Sequence, residues 1–159
     1  MKAADELNID DFCHDVGKIL TLLHQVFPRP IILSVDDICG PEETDEFGIH
    51  SNRYLACFST MLWLAEEGYL RFAETLRNEG IDQAVLSARC FAHLTRPRTE
   101  QLQPINDNED DPNRLPESIR LAQTSVVAQL RQALGARSST ATRHIVLALI
   151  DAMLGNTDS

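Results

Sequence analysis

The stretches EEGYLRF (residues 66–72) and RNEG (residues 77–80) determine which fold the sequence predicts. The residues before them, 52–67, carry apolar side chains at helical spacing, and Gly68 follows directly. Ser51 or Asn52 can cap this helix. Glycine adopts a left-handed backbone at little cost and therefore commonly ends a helix. Asparagine and glycine between two strand-like runs are typical of a turn. The stretch predicts a helix that ends at a glycine and leads into a β-hairpin.

The residues before this stretch predict a helix, a strand and a short helix. An apolar stripe repeats at three- and four-residue steps over residues 9–27, and Pro28 ends it because proline has no amide hydrogen. Residues 31–33 form a short apolar run that suits a strand. Ser34 can cap a short helix over residues 35–39. The predicted elements after Gly68 are a strand at 69–73, a returning strand at 83–86 and a helix over 88–94 that Ser87 can cap.

The composition changes after this helix. Prolines and an acidic run mark residues 96–116 as a polar, acidic linker with no apolar face. Apolar stripes then predict a hairpin of two helices, over residues 117–134 and 138–154, and Gly135 closes the first of them. Each stripe must be covered, either by the front domain or by the same hairpin in a second subunit. The predicted organisation is a winged domain over residues 1–95, the linker, and a helical hairpin over 117–159 that is a candidate dimerisation element.

Charge and composition restrict the classes of function. Acidic residues number 24 against 14 basic ones, and the formal net charge of -10 disfavours unassisted attraction to nucleic acid or anionic lipid. The four cysteines form no C-x-x-C pair, and Cys13, Cys57 and Cys90 fall on apolar positions, which favours small buried hydrophobes in a reducing compartment. The first residues do not resemble a secretory signal, and no apolar run is long enough to span a bilayer. We therefore expect a cytoplasmic protein with no membrane contact.

The histidines and cysteines form no metal or catalytic motif. His14, His24 and His50 stand at no ligand spacing from one another or from a cysteine, and no H-E-x-x-H helix occurs. A nucleophile pair of Cys57 with His50 is disfavoured because Cys57 lies on an apolar helix face, where an inert thiol is expected. No glycine-rich phosphate loop and no G-x-S-x-G motif are present. We expect a protein that is not an enzyme and that needs no cofactor and no metal.

Two motifs resemble the winged-helix superfamily. Residues 62–70, LWLAEEGYL, are similar to the leucine-rich helix with a Glu-Gly-Tyr-Leu ending found in many such domains. Residues 84–91, AVLSARCF, resemble the strand-to-helix exit of bacterial winged-helix regulators, with Ser87 in place of threonine and Cys90 in place of glycine. The resemblance covers residues 9–94 and implies a mainly α fold with a small antiparallel β wing. Such motifs specify the fold better than the ligand.

The resemblance implies that residues 50–70 contain the recognition helix of a DNA-binding domain. Residues near its start would read bases, because asparagine can pair with adenine and arginine with guanine. The wing would lie at residues 74–82, and it offers one cation against three carboxylates. The turn before the helix, EETDE at residues 42–46, has the wrong charge for a phosphate surface. The candidate contact residues for DNA or for a partner are Ser51, Asn52, Arg53, Ser59, Thr60, Trp63 and Arg77.

Some of these candidates have structural alternatives. The pair Asn52 and Arg53 can be a helix cap and a solvated first-turn arginine instead of DNA contacts. Trp63 lies off the main apolar stripe and is either an exposed anchor for a partner protein or a residue packed under the C-terminal hairpin. Both alternatives place Trp63 at an interface.

Three hypotheses about function follow. The first is a non-enzymatic winged-helix regulatory or protein-interaction module that self-associates through residues 117–154, because the basic footprint is missing and two amphipathic helices are uncovered. The second is a dimeric transcriptional regulator whose helix at residues 51–67 reads a DNA sequence through a local positive patch. The third is a small-molecule sensor with a pocket between the hairpin and the front domain. The first two imply a homodimer with a protein or a DNA partner.

Overall fold

The computed structural model describes residues 4–42, 44–98, 116 and 123–155. Within these ranges the chain is mainly helical with one small antiparallel sheet, which confirms the predicted class at this level. No described helix has both the length and the apolar character needed to cross a bilayer. The helices are α1 (Ala4–Val26), α2 (Val35–Cys39), α3 (Asn52–Glu66), α4 (Ala88–Thr95), α5 (Val126–Gly135) and α6 (Ser139–Met153). The strands are β1 (Ile31–Ser34), β2 (Leu70–Arg71), β3 (Glu74–Leu76) and β4 (Gly80–Leu86).

Strand β4 is the centre of the sheet. It pairs antiparallel with β1 along one edge and with β2 and β3 along the other. A hairpin forms at the predicted turn, since β3 and β4 are joined by residues 77–79 and pair from Leu76 with Gly80. The single strand predicted over residues 69–73 is wrong, because only β2 lies within it and the hairpin strand β3 begins at Glu74. The strand that precedes the short helix α2 is therefore tied to the hairpin through β4.

The sequence predicted that the returning strand begins at Gln83, whereas β4 begins at Gly80. The left-handed residue of the turn is Arg77, with a φ of 53°, whereas Gly80 already pairs with Ser34 of β1. A β-carbon at position 80 would lie 2.5 Å from the carbonyl oxygen of Leu33, so the close approach of two strands requires glycine. Gln83 has a φ of 56° and lies where the register between β1 and β4 shifts, which is the geometry of a β-bulge.

The predicted ends of the helices are largely confirmed. The hydroxyls of Ser34, Ser51 and Ser87 each accept a hydrogen bond from a backbone N–H in the first turn of α2, α3 and α4, respectively. Gly68 follows α3 with a φ of 82° and turns the chain toward β2. Helix α1 begins at Ala4 instead of residue 9, where the apolar stripe begins.

The predicted linker at residues 96–116 is described only at its ends. Pro97 forms a β-bridge with Ser125, and the N–H of Arg98 donates to the carbonyl oxygen of Thr124. Arg98 is buried. The start of the linker therefore packs against the residues that precede α5, and the rest of it, apart from Pro116, lies outside the described residues.

The prediction of one continuous helix over residues 117–134 is wrong, because the helix is interrupted at Ser125. Ser125 has an extended backbone, with a ψ of 154°, and its hydroxyl accepts a hydrogen bond from the N–H of Ala128, so it caps a separate helix, α5. Residues 117–122 lie outside the described residues. The last predicted helix is confirmed as α6, whose cap is Ser138, and α5 and α6 pack on each other as a hairpin.

One hydrophobic core joins the N-terminal elements to this hairpin. Helix α1 contacts α3, α5 and α6, and α4 packs on α5 and α6 as well. Gly17 of α1 permits the approach of α5, because a β-carbon there would lie 3.3 Å from a methyl group of Leu130. The apolar stripes that the sequence left uncovered are thus covered within the chain. Their buried residues are Val127, Leu130, Ala133, Ile145, Val146, Leu149 and Met153.

Candidate interaction face around helix α3

The start of α3 is the place where the sequence predicts contact with DNA or with a partner. Ser51 is the cap, because its hydroxyl accepts a hydrogen bond from the N–H of Tyr54 at 3.2 Å. The N–H of Ser51 donates to a carboxylate oxygen of Glu42 at 3.3 Å. Asn52 and Ser59 are exposed, and their spacing of two helical turns puts them on one side of α3. These predicted residues therefore share an accessible surface that has a carboxylate at its edge.

The guanidinium of Arg53 is bound to α1. Its two terminal nitrogens donate to both carboxylate oxygens of Asp15, each at 2.6 Å, and its Nε lies 3.7 Å from a carboxylate oxygen of Asp11. The side chain of Asp15 is 1% exposed, and that of Arg53 is partly exposed. Arg53 is thus engaged in a bidentate ion pair, which differs from both the base-reading and the solvated arginine that the sequence offered.

The pKa values of the two groups follow from this pairing. Burial alone would raise the pKa of Asp15, but hydrogen bonds from His14 and Arg53 outweigh burial and leave the pKa below its usual value. The hydrogen bonds to Asp15 raise the pKa of Arg53. Both groups are therefore charged at neutral pH, and removal of either would leave the other with an uncompensated charge.

The other predicted site residues are not brought together with these. Thr60 is buried, and its hydroxyl donates to a backbone carbonyl of the preceding turn. Trp63 is half-buried, with its ring edge-on to Phe12 of α1 at 5.3 Å between centroids and stacked with Tyr69 at 5.7 Å. Its aromatic contacts are therefore with α1 and the start of β2 and not with the C-terminal hairpin. Arg77 is exposed in the turn between β3 and β4.

The loop between α2 and α3 presents two apolar side chains that the sequence analysis did not single out. Phe47 is 83% exposed and Ile49 is 58% exposed. One carboxylate oxygen of Asp45 accepts hydrogen bonds from the N–H groups of both residues, each at 2.9 Å. The N–H of Asp45 donates to the carbonyl of Ile49, and Gly48 takes a left-handed φ of 76°. These hydrogen bonds fix the loop backbone in a conformation that leaves both apolar side chains exposed to solvent.

His50 connects this loop to the β3–β4 turn. Its ring stacks on Tyr54 at 3.8 Å between centroids, and its Nε2 lies 3.7 Å from a carboxylate oxygen of Glu79. Tyr54 is buried, and burial raises its pKa to about 12, with a further contribution from the charge of Asp36 in α2. Helix α2, the loop, the start of α3 and the β3–β4 turn therefore meet around Tyr54, and we call their outer surface the acidic face.

The charge of the acidic face justifies its name. Its described cations are Arg53, which is paired with Asp15, and Arg77. The absence of further lysine or arginine in these described elements leaves the carboxylates in excess. The exposed carboxylates are those of Asp36, Asp37, Glu42, Asp45, Glu46, Glu74 and Glu79.

The described residues contain no metal cluster. No group of three or more histidine, cysteine or carboxylate side chains among them is arranged to hold an ion. The predicted burial of Cys13, Cys57 and Cys90 is confirmed, and burial raises the pKa of each thiol. Buried neutral thiols are poor nucleophiles, so these cysteines contribute to packing.

The apolar pair in the loop had a signal in the sequence. Phe47 and Ile49 are the large apolar residues within an otherwise acidic stretch, and Asp45 precedes Gly48 at the spacing of a turn. The excess of carboxylates around them indicated a charged loop and not an apolar contact. The ion pair of Arg53 had no local signal, because Asp15 lies in another helix.

Comparison with protein-family models, with curated proteins and with solved structures found no match to this chain.

Proposed function

We propose that this chain is a winged-helix protein-interaction module that binds a basic partner protein on the acidic face. One observation carries the proposal: the cation of α3 is taken up by Asp15, while the same face exposes carboxylates around the apolar pair Phe47 and Ile49. Such a face attracts a positively charged surface and offers it an apolar anchor.

The winged-helix part of the proposal is supported by the order and the pairing of the elements. A helix, a strand, a short helix and a longer helix are followed by the hairpin of β3 and β4, and β1 pairs with β4. In this interpretation α2 and α3 form the helix-turn-helix and the hairpin is the wing. Helix α3 is then the functional helix, and the loop that carries Phe47 is an enlarged turn.

Charge argues against DNA as the ligand of this face. Proteins neutralise DNA phosphates with lysine and arginine side chains. Among the described residues of the acidic face, Arg77 is the one cation outside an ion pair. A duplex on α3 would place its phosphates beside carboxylates such as Glu42 and Glu79, which repel them.

A partner of this face needs apolar and basic groups together. Burying a phenylalanine side chain such as Phe47 contributes roughly 1.5–3 kcal/mol. The surrounding carboxylates accelerate the encounter with lysine- or arginine-rich surfaces and disfavour acidic ones. Because Asp45 already holds the loop, binding does not have to order it, and this lowers the entropic cost.

The experiment is partner capture with matched variants of the full chain. The wild type, the double variant Phe47→Ser with Ile49→Ser, and the control Ile32→Ser are immobilised and exposed to a lysate of the source cells. Ile32 is a suitable control because it is also an exposed apolar residue, on β1 and outside the acidic face. We expect a partner that the wild type and Ile32→Ser retain, that the double variant loses and that salt releases. A partner that the double variant retains equally would contradict the proposal.

Self-association through the C-terminal helices forms a separate part of the proposal. The described part of the hairpin has its apolar stripes buried against α1 and α4, and α6 still exposes Leu147 and Leu154. Within the described part of the hairpin, these two are the exposed large apolar side chains that a dimer contact could use. Light scattering should show a dimer that Leu147→Glu with Leu154→Glu converts to a monomer. A monomeric wild type, or a dimer that the double variant leaves intact, would argue against this contact.

The alternative function is a dimeric regulator that reads DNA with residues 51–67. Its support is the exposure of Asn52 and Ser59 on one side of α3. Arg53 would have to leave Asp15 to reach a base, so Asn52→Ala is the cleaner test. Loss of a sequence-specific complex in Asn52→Ala would support the alternative, and unchanged binding would remove α3 from the DNA contact.

A further inference from the structure

A cavity of about 340 Å³ lies where α1 meets the turn between α5 and α6. Its lining combines Lys18 of α1 with Arg137, Ser138, Ser139 and Thr142 of the hairpin. None of these residues belongs to the acidic face. The cavity is therefore a second feature of the fold, with its own charge and its own polar groups.

The lining carries positive charge in an acidic protein. Lys18 and Arg137 form no ion pair with any described residue. Asp10 also lines the cavity, and its carboxylate lies 3.5 Å from Arg143, so its charge is matched. Two unpaired cations thus face one cavity in a chain whose formal net charge is -10. An anion is the ligand that this charge favours.

The N-terminus of α6 adds donors to the same cavity. Ser138 caps the helix, and its hydroxyl accepts a hydrogen bond from the N–H of Ala141 at 3.1 Å. The N–H groups of Ser139, which lines the cavity, and of Thr140, the next residue, have no partner within the helix. Together with the helix dipole they favour a negative ligand.

Thr142 gives an observation that is independent of the helix end. It is 4% exposed and lines the cavity, yet its hydroxyl makes no hydrogen bond with any described residue. Thr60, the buried threonine of α3, satisfies its hydroxyl by donating to a backbone carbonyl one turn earlier. The described side-chain atoms that are buried without a partner are His50 Nδ1 and Arg98 Nη2, so the hydroxyl oxygen of Thr142 itself keeps access to the cavity. The free hydroxyl of Thr142 is therefore available to a ligand oxygen.

Arg137 occupies a backbone conformation that favours glycine. Its φ is 55°, and its N–H and that of Ser138 donate to the carbonyls of Leu134 and Ala133, at 3.1 and 3.0 Å, which is the motif that commonly ends a helix at a glycine. A turn that served structure alone would form more easily with glycine. From this position the side chain of Arg137 lines the cavity.

We propose that this cavity binds the phosphate group of a small phosphorylated metabolite. The N–H groups of Ser139 and Thr140 and the hydroxyl of Thr142 donate hydrogen bonds to the phosphate oxygens, and Lys18 and Arg137 neutralise their charge. Within the described part of the chain, no carboxylate pairs with Lys18 or Arg137, and no group forms a hydrogen bond with the hydroxyl of Thr142.

A neighbouring cavity provides room for the organic part of the ligand. It has a volume of about 390 Å³ and shares Lys18 and Leu134 with the phosphate cavity. Leu22 of α1 and Ile38 of α2 give it apolar walls, and its lining also contains the cation of Arg131 and the carboxylate of Asp37. Because the two cavities adjoin, a phosphomonoester can place its phosphate in one and its organic group in the other.

The test is an NMR titration of the isotopically labelled full chain in phosphate-free buffer, with inorganic phosphate as the first probe. We expect saturable shifts of the Ser139 and Thr140 amides. Arg137→Gly should weaken binding about tenfold or more, the loss of a charge-assisted contact, without lowering Tm, because glycine suits the backbone. Arg77→Gly is the matched control, since Arg77 also has a left-handed φ, of 53°, and lies outside the cavity. Thr142→Val, which keeps the side-chain shape, should weaken binding several-fold while Tm is retained.

The result that would overturn the proposal is an absence of saturable shifts at these two amides, or an equal loss of affinity in Arg137→Gly and Arg77→Gly. A second arm compares adenosine monophosphate with phosphate and with adenosine. Tighter binding of the monophosphate than of phosphate, with no binding of adenosine, supports a phosphorylated metabolite. Equal binding of the monophosphate and phosphate would overturn that identification and assign the site to free phosphate.

Discussion

Arg53 of α3 and Asp15 of α1 form a bidentate ion pair in which both N–O distances are 2.6 Å. The pair joins the helix that the winged-helix resemblance assigns to recognition with the helix that contacts α3, α5 and α6. Arg53 is also the single basic residue of α3. Its charge is therefore used to hold α3 on α1, and the outer side of α3 has no cation of its own to offer to a phosphate.

Breaking this pair on one side should destabilise the fold. Arg53→Met leaves the carboxylate of Asp15 buried without its partner, and because Arg53 is partly exposed we expect the lower end of the usual loss, about 3 kcal/mol in the free energy of unfolding. The control Arg77→Met removes an exposed arginine and should cost less than about 0.5 kcal/mol. Urea unfolding followed by circular dichroism measures both. A loss below about 1 kcal/mol in Arg53→Met would show that the pair contributes little.

The same pair predicts sensitivity to acid. The pKa of Asp15 is lower in the folded chain than the value of about 3.9 expected in the unfolded one, so the unfolded chain binds the proton more readily. The stabilisation is fully present above the unfolded pKa and is lost as the pH falls through the folded pKa. We expect the free energy of unfolding to decrease below about pH 4, and to decrease less in Asp15→Asn. Identical pH profiles of the two proteins would contradict this assignment.

His24 predicts a second pH dependence in a higher range. Burial and the charge of Arg131 lower its pKa, and its ring stacks on Phe91 while Nε2 lies 3.1 Å from the hydroxyl of Thr95. The neutral ring is thus favoured in the folded chain, so its stabilisation is complete above the unfolded pKa of about 6.5 and is lost as the pH falls through the lower folded pKa. His24→Gln should flatten the decrease in stability just below about pH 6.5, and the exposed His144→Gln should not. Chemical unfolding at a series of pH values distinguishes the two variants.

Contact between α5 and α1 predicts that the hairpin unfolds together with the rest of the core. Leu130 is fully buried next to Gly17, so Leu130→Ala should lower the free energy of unfolding by about 2–5 kcal/mol in a single transition. Leu147→Ala, on the exposed side of α6, should cost less than about 1 kcal/mol. Two separate transitions, with only the weaker one shifted by Leu130→Ala, would show that the hairpin folds independently.

Local signals in the sequence predicted most of the elements. Serine caps at Ser34, Ser51 and Ser87 and the stop at Gly68 act through neighbouring backbone groups, so a short stretch of sequence is enough to place them. An apolar stripe that continues along the sequence is weaker evidence that a single helix continues with it. The apolar spacing continues through Ser125, but the backbone there is extended, and the predicted long helix is broken.

The sites depend on contacts between distant parts of the chain. Asp15 and Arg53 are 38 residues apart, and helical periodicity does not specify which carboxylate an arginine meets. Gly135 marked the end of α5 in the sequence, whereas the left-handed position belongs to Arg137. The cavity beside Thr142 forms only when α1 packs on the hairpin, so no sequence window contains it.

Selection of a random double-stranded DNA library on the immobilised, folded chain at low salt tests the central claim most directly, because phosphate attraction is least screened there. If the acidic face binds a protein, no sequence motif is enriched, since Arg53 is held by Asp15 and the face repels phosphate. Enrichment of an inverted repeat, weakened by Asn52→Ala, would contradict the claim and establish α3 as a DNA-reading helix.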